Sequence, residues 1–175
     1  MNSNPKNKNQ SRRSFIRNAS IIAGSFFIVP RHVLGRGFIP PSDKLNIAGI
    51  GCGGKADVNL PYAFNNGAEN IAALCDVDDR MAVKARKMWP NAPYYKDYRE
   101  LLEKEKGIDA VIITTPDHMH AVMSLAAMQL GIHVYCEKPL THDIYEARIL
   151  TEAAKNTKLL LKWETREAVV MIHEM

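Results

Sequence analysis

Short apolar runs alternate with amphipathic stretches along most of this chain, and the two kinds of segment keep a regular order. Residues 45–50 read as a buried strand and 55–66 as the helix after it. A second apolar run at 71–74 leads into an amphipathic stretch at 79–88, which Trp89-Pro90 closes because proline cannot continue a helix. Tyr94-Tyr95 reads as a short strand, and 98–106 as a charged helix ended by Gly107. The β-branched run within 110–114, bounded by Asp109 and Pro116, predicts another buried strand. Residues 119–130 follow as a helix capped by Asp117 or His118 and closed by Gly131. The pattern ends with a strand at 132–136 and a long helix at 141–156, capped by Thr141. Strands alternating with helices predict an α/β fold with a doubly wound parallel sheet.

The first strand ends in Gly49-Ile50-Gly51-Cys52-Gly53-Gly54, a G-x-G-x-x-G that opens into the first helix. Free N–H groups and the positive dipole end of that helix suit a pyrophosphate. In this reading Gly49 permits the turn, Gly51 the close approach of the phosphates, and Gly54 the packing of helix on strand. An acid is expected about 20 residues further on, and Asp76 stands there, just past the second strand. Strand, glycines, helix and acid together make the sheet Rossmann-like and point to a dinucleotide. A carboxylate at Asp76 suits two ribose hydroxyls and repels a 2′-phosphate, which favours NAD; the nearby Arg80 leaves NADP admissible.

Composition changes the picture mainly at the N-terminus. The chain of 175 residues is 46% hydrophobic, enough for one ordinary core. Its net charge of +4 comes from the first 40 residues, which hold seven cations and no acid and leave 16 cations against 19 acids elsewhere. That excludes a nucleic-acid footprint, since a basic face needs clustered Lys and Arg and here they alternate with acids. Ser11-Arg12-Arg13-Ser14-Phe15-Ile16-Arg17 followed by the apolar residues 19–29 has the layout of a charged region and a hydrophobic region of a signal. The twin arginines resemble a twin-arginine export signal. The apolar run is too short for the ~20 residues of a membrane-spanning helix. Residues 1–40 are therefore expected to engage the twin-arginine export machinery, placing the protein in the periplasm or tethered on its periplasmic side. Val33-Leu34-Gly35 is the best candidate for cleavage. Cys52, Cys75 and Cys136 are too few and scattered for a disulfide framework and read as small buried residues. A Cys52–Cys75 bridge is the alternative if the fold brings those strand tips together.

Ligands in such sheets bind past the carboxyl ends of the strands. Thr114-Thr115-Pro116-Asp117-His118-Met119-His120 follows the third long strand and reads first as a turn into a helix. No ligand set with metal spacing supports a metal at His118 and His120, and no metal is expected. Glu137-Lys138-Pro139 follows the next strand. Lys138 there can hydrogen-bond a substrate hydroxyl or, if burial lowers its pKa, move the proton that accompanies hydride transfer. A surface ion pair between Glu137 and Lys138 is the bland alternative.

Over residues 44–158 these features resemble the N-terminal domain of the Gfo/Idh/MocA oxidoreductases, the family of glucose–fructose oxidoreductase and inositol dehydrogenase. The glycine turn, Cys75-Asp76-Val77-Asp78, Thr115-Pro116 with His120, and Glu137-Lys138-Pro139 carry the resemblance. It implies that Gly49, Gly51 and Gly54 line the pyrophosphate and Asp76 holds the adenosine ribose. Thr115, Pro116, His120 and Glu137 would lie by the cofactor, and Lys138 would be catalytic, with Pro139 in a cis peptide that orients it. It also implies a sugar-like small-molecule substrate and hydride transfer with a bound nicotinamide. An NAD-dependent glycosidase and a non-catalytic nucleotide-binding module are the alternatives.

Family members continue into a second α/β domain that walls the substrate, and the chain is expected to lack it. One set of codons for residues 159–166, read one nucleotide earlier, gives Ala-Thr-Gln-Met-Gly-Asn-Gln-Gly, which resembles the family's continuation. Residues 159–175 are accordingly expected to be an out-of-frame tail of a truncated chain that is inactive alone. A native tail with its own helix over 165–175 is the alternative.

Overall fold

The computed structural model describes residues 43–164 and 169–172, with side chains described through Lys162. The twin-arginine segment, the apolar run at 19–29 and the cleavage candidate lie outside the described residues. Among those described, no helix is long and apolar enough to cross a membrane.

The first five strands are β1 (Asn46–Ile50), β2 (Asn70–Cys75), β3 (Tyr94–Tyr95), β4 (Ala110–Ile113) and β5 (His133–Cys136). The crossovers between them are α1 (Ala56–Phe64), α2 (Asp79–Met88), α3 (Tyr98–Lys104) and α4 (His120–Gln129), and α5 (Ile144–Thr157) follows β5. β6 (Leu161–Glu164) and β7 (Val169–Ile172) complete the sheet. The strand order is β3-β2-β1-β4-β5-β6-β7. All pairs are parallel except β6 with β7. From β1 the chain winds outward through β2 and β3, then returns to β4 on the other side. The crevice between β1 and β4 is therefore the topological switch point, where ligands of such sheets bind.

Both faces of β1 and β4 are covered, which is why their sequences read as continuous apolar runs. Ala48, Ile50, Val111 and Ile113 face α3, α4 and α5, whose Leu101, Ala127 and Leu150 are buried against them. Ile47 and Ile112 face α1 and α2 with Leu60, Ala82 and Ala85. Burying each Leu or Ile contributes about 1.5–3 kcal/mol, so the sheet centre at the switch point is the most firmly held part of the fold.

Three helices start on an aspartate. Asp78 accepts from Arg80 N, Asp97 from Arg99 N and Asp143 from Glu146 N. Two expected caps are corrected. The last helix is capped by Asp143 and not by Thr141, because Asp143 Oδ1 takes the Glu146 N–H at 2.8 Å while the Glu146 carboxylate reaches back to His142 N at 2.8 Å. This reciprocal pair delays the helix to Ile144. Neither Asp117 nor His118 caps α4: Asp117 Oδ1 accepts the adjacent His118 N–H at 2.9 Å, and a 3₁₀ turn over Asp117–Met119 leads into the helix. The alternative of a native tail with a helix over 165–175 does not hold at its centre. Its residues Val169–Ile172 form the antiparallel edge strand β7, consistent with the strand preference of Val169, Val170 and Ile172.

All three cysteines are free and buried. Cys52 Sγ donates to Cys75 O at 3.3 Å. Burial pushes each thiol up to about 12, which makes them unreactive packing groups at neutral pH.

Candidate functional site

The tips of β1, β2 and β4 open on a cavity of about 540 Å³, lined on one side by Gly51, Gly53 and Asp76 and on the other by Thr114, Thr115 and Pro116. Met81, Lys96, Tyr98, Met119 and Met123 also line it. Such an apolar groove with a few fixed polar groups suits a flat ring and a sugar.

The glycine turn is built by distinct demands at each position, and two expected roles change hands. Gly51 has φ +85°, and a Cβ there would stand 2.8 Å from the Thr114 backbone carbon and oxygen. It therefore makes both the turn and the close approach. Gly49 does the packing instead, since a Cβ on it would meet Leu60 Cδ2 of α1 at 2.9 Å. Gly54 was expected to do that packing, but a Cβ on it would meet nothing within 4 Å; its φ of +58° is what favours glycine. Thr114 Oγ1 donates to Gly51 O at 2.6 Å and locks the turn to the tip of β4. No side chain caps α1, whose first turn follows directly from Gly54 and Lys55. An uncapped helix start on a glycine turn is the anion cradle that a pyrophosphate fits.

Asp76 is tied to this turn. Its Oδ2 accepts the Cys52 N–H at 2.7 Å, and its Oδ1 accepts the Asp78 N–H at 2.9 Å. Each oxygen keeps a lone pair for a hydroxyl donor, so the carboxylate is oriented and still able to accept. Among the described residues it has no cation partner.

The second half of the site lies at β5. The alternative, a Glu137–Lys138 ion pair, is not formed among the described residues. Glu137 is buried and turned to α1: Oε1 accepts from Asn59 Nδ2 at 2.7 Å and lies 3.7 Å from Lys55 Nζ. Its Oε2 accepts the Lys138 N–H at 3.2 Å. Lys138 itself is exposed and its peptide to Pro139 is cis. The burial that would tune a lysine for proton transfer is absent here. His120 is likewise not a wall of the groove. It is buried behind it, with Nδ1 2.6 Å from Pro139 O and Nε2 2.7 Å from Thr115 O. Both contacts are hydrogen bonds only when the ring carries both protons. His120 thus ties the loop after β4 to the loop after β5.

The structure places Gly51, Asp76, Thr115 and Pro116 around one groove. Gly49 and Gly54 shape its turn, while His120 and Glu137 hold loops from behind. Sequence reasoning missed Asn59 and Lys55, although their i,i+4 spacing on α1 puts them on one face. It also missed Tyr98, Met119 and Met123, for which the sequence holds no signal, because they meet the groove only through the crossovers.

The family model for the Gfo/Idh/MocA oxidoreductases, described as the family's NAD-binding Rossmann fold, matches residues 45–164. The chain belongs to this family. Within the Gfo/Idh/MocA proteins it is 36% identical over 137 residues to a glycosyl hydrolase family 109 protein of Stenotrophomonas maltophilia, covering 72% of this chain and 29% of that one. It is 32% identical over 121 residues to inositol 2-dehydrogenase of Salmonella paratyphi B, covering 68% of this chain and 35% of the relative. Among solved structures it is similar to the WlbA dehydrogenase from Chromobacterium violaceum, a complex with NADH and UDP-GlcNAcA. That likeness has a TM-score of 0.62 at 28% identity and covers 69% of this chain and 35% of the other. The chain thus spans about a third of the length of these Gfo/Idh/MocA relatives. The family's domain is NAD-binding, and the cradle and acid of this groove fit that cofactor.

Proposed function

We propose that this chain is the cofactor-binding part of an exported oxidoreductase acting on a sugar or sugar derivative. The observation that carries the reading is the groove at the switch point, with an oriented Asp76 beside an uncapped helix start and Lys138 two strands away on the same edge of the sheet. When bound, the nicotinamide supplies a hydride acceptor or donor. The chain's own residues do the rest. Gly51 admits the phosphates against the backbone, Asp76 accepts from the ribose hydroxyls, and Thr115 and Pro116 hold the far wall. Lys138, at the tip of β5, would hydrogen-bond the substrate hydroxyl and take its proton. That work needs a lysine shielded from water and a substrate held in place, and orientation supplies several kcal/mol of a barrier. With Lys138 exposed, cofactor binding without sugar-dependent reduction is the proposed activity of these 175 residues.

The relatives' inositol and nucleotide-sugar names guide the test. The purified chain is mixed with NAD+ and a panel of myo-inositol, N-acetylhexosamines and nucleotide sugars, and reduced nicotinamide is followed by absorbance. Binding without reduction is expected. Turnover with any of the panel contradicts the proposal that the chain alone is inactive, and release of a free sugar without net reduction favours the glycosidase. Export is tested by fusing residues 1–40 to a folded reporter, with R12K/R13K expected to retain it in the cytoplasm. Unchanged export of that variant contradicts the twin-arginine route.

A further inference from the structure

Two cations line the groove and a third, Arg80, is paired with Asp78, which lines it; each of the three is held by a nearby carboxylate. Lys96 and Arg99 line the cavity. Lys96 Nζ lies 2.7 Å from Asp79 Oδ1 and donates to Val77 O at 3.2 Å, and Arg99 Nη1 lies 3.3 Å from Asp97 Oδ2. Arg80, on the first turn of α2, is gripped most closely. Its Nε donates to Asp78 Oδ1 and Oδ2 at 3.0 and 3.2 Å, and its Nη2 donates to Oδ2 at 2.7 Å. Asp78 Oδ1 also accepts the Arg80 backbone N–H at 2.9 Å as the cap of α2. The carboxylate is therefore fixed by the helix it caps, and the guanidinium is fixed on the carboxylate.

From these contacts we infer that Asp78 is a specificity-determining residue: by holding Arg80 on itself, it withholds the cation that a 2′-phosphate needs and so favours NAD over NADP together with Asp76. The inference rests on the groove being the adenosine–ribose site. A 2′-phosphate beside Asp76 meets like charge, and an arginine nearby is what otherwise accommodates it. On Asp78, Arg80 keeps its Nη1 donors free among the described residues, but its charge is already matched by that carboxylate, which lines the same cavity and would stand beside Asp76 as a second negative charge facing the phosphate. Lys96 and Arg99 are engaged in the same manner. The Arg80 hydrogen bonds hold the Asp78 carboxyl down at about 2, so the pair stays ionised at neutral pH.

The test is equilibrium titration of the full chain with NAD+ and with NADP+, read as the ratio of the two Kd values. Wild type, Asp78→Asn, Arg80→Ala and the double variant are compared. Asparagine keeps a capping oxygen and removes the charge. Asp78→Asn is expected to shift the ratio toward NADP+ by about tenfold, the scale of a charge-assisted contact to phosphate. Arg80→Ala alone is expected to leave the ratio within about twofold, since an exposed, already paired arginine adds little. The double variant is expected to lose the gain. A gain that survives without Arg80 overturns the inference, as does an unchanged ratio in Asp78→Asn. Selective loss of NADP+ binding in Arg80→Ala does so too, and that exposed position keeps the test open if Asp78→Asn does not fold. Absence of binding of either nucleotide by the wild type overturns the groove assignment and the inference with it, whereas NAD+ binding with an unmoved ratio overturns the inference alone.

Discussion

The tips of β1 and β2 and the tip of β5 lie on one edge of the same sheet, yet they are built in opposite ways. At β1 and β2 the working parts are backbone: a glycine with φ +85°, a helix start without a cap, and a carboxylate fixed by two amides. At β5 the proposed working part is one side chain, Lys138, which is exposed, while its neighbours Glu137 and His120 are buried. The first region takes its turn and acid from one stretch between Gly49 and Asp78, with Thr114 of β4 locking the turn. The second draws Asn59 from α1 and His120 from α4, and its lysine faces open space. Binding a dinucleotide asks only for fixed dipoles and one acid, and a single βαβ unit can supply these. Proton transfer asks for a shielded group held against a second reactant, and that requirement is not met within the described residues.

The comparison breaks most sharply at Gly51. Gly51→Ala is expected to destabilise the chain by about 2–4 kcal/mol, from a left-handed φ and a clash with unyielding backbone, and to abolish NAD binding. Chemical denaturation and nucleotide titration of the variant check both. A variant as stable as the wild type would mean that the turn yields. His120→Ala is expected to cost about 1–3 kcal/mol, because a buried ring and its contacts to the Thr115 and Pro139 carbonyls are lost. Its effect should be local. Amide exchange is expected to quicken around Thr115 and Lys138 while NAD affinity falls by no more than about threefold, a small share of the contact energy. Equal loss of affinity in this variant and in an Asp76 variant would show that the two regions are one unit.

The smallest effect is electrostatic. The Asp78 carboxyl titrates near 2 against an ordinary 3.8. A depressed carboxylate contributes stability that is present above pH 4 and lost as pH falls toward 2. Carbon-detected NMR of Arg80→Ala is expected to move the midpoint back up toward 3.8, and to flatten that part of the pH–stability curve. An unmoved midpoint would place the cause in the helix cap and not in the guanidinium.

Much of the first region was legible in the sequence, because its signals are local. Glycines that need unusual φ, an acid at the right interval and the β-branched run of β4 all announce themselves within short windows. The shift of the turn to Gly51 and of the packing to Gly49 was not legible, since the packing depends on where Leu60 points after α1 folds back. Caps were misread at Thr141 and at Asp117 and His118, because several polar residues compete and the choice falls to whichever amide lies within reach. Residues 169–172 were helical only in the alternative reading of the tail, and pairing with β6 at the edge of the sheet decided for strand. The second region was legible as a motif and not as an arrangement. Nothing in the sequence said that Glu137 would turn to α1 or that His120 would join two loops.

The central claim is that the groove at the tips of β1, β2 and β4 binds NAD through the glycine turn and Asp76. Titration of the purified full chain with NAD+, followed by intrinsic fluorescence, tests it directly with Asp76→Ala as the control. Saturable binding that weakens by about tenfold or more in the variant, as expected for loss of a charged acceptor, is the predicted result. Identical affinity in both proteins, or no binding by either, would contradict it.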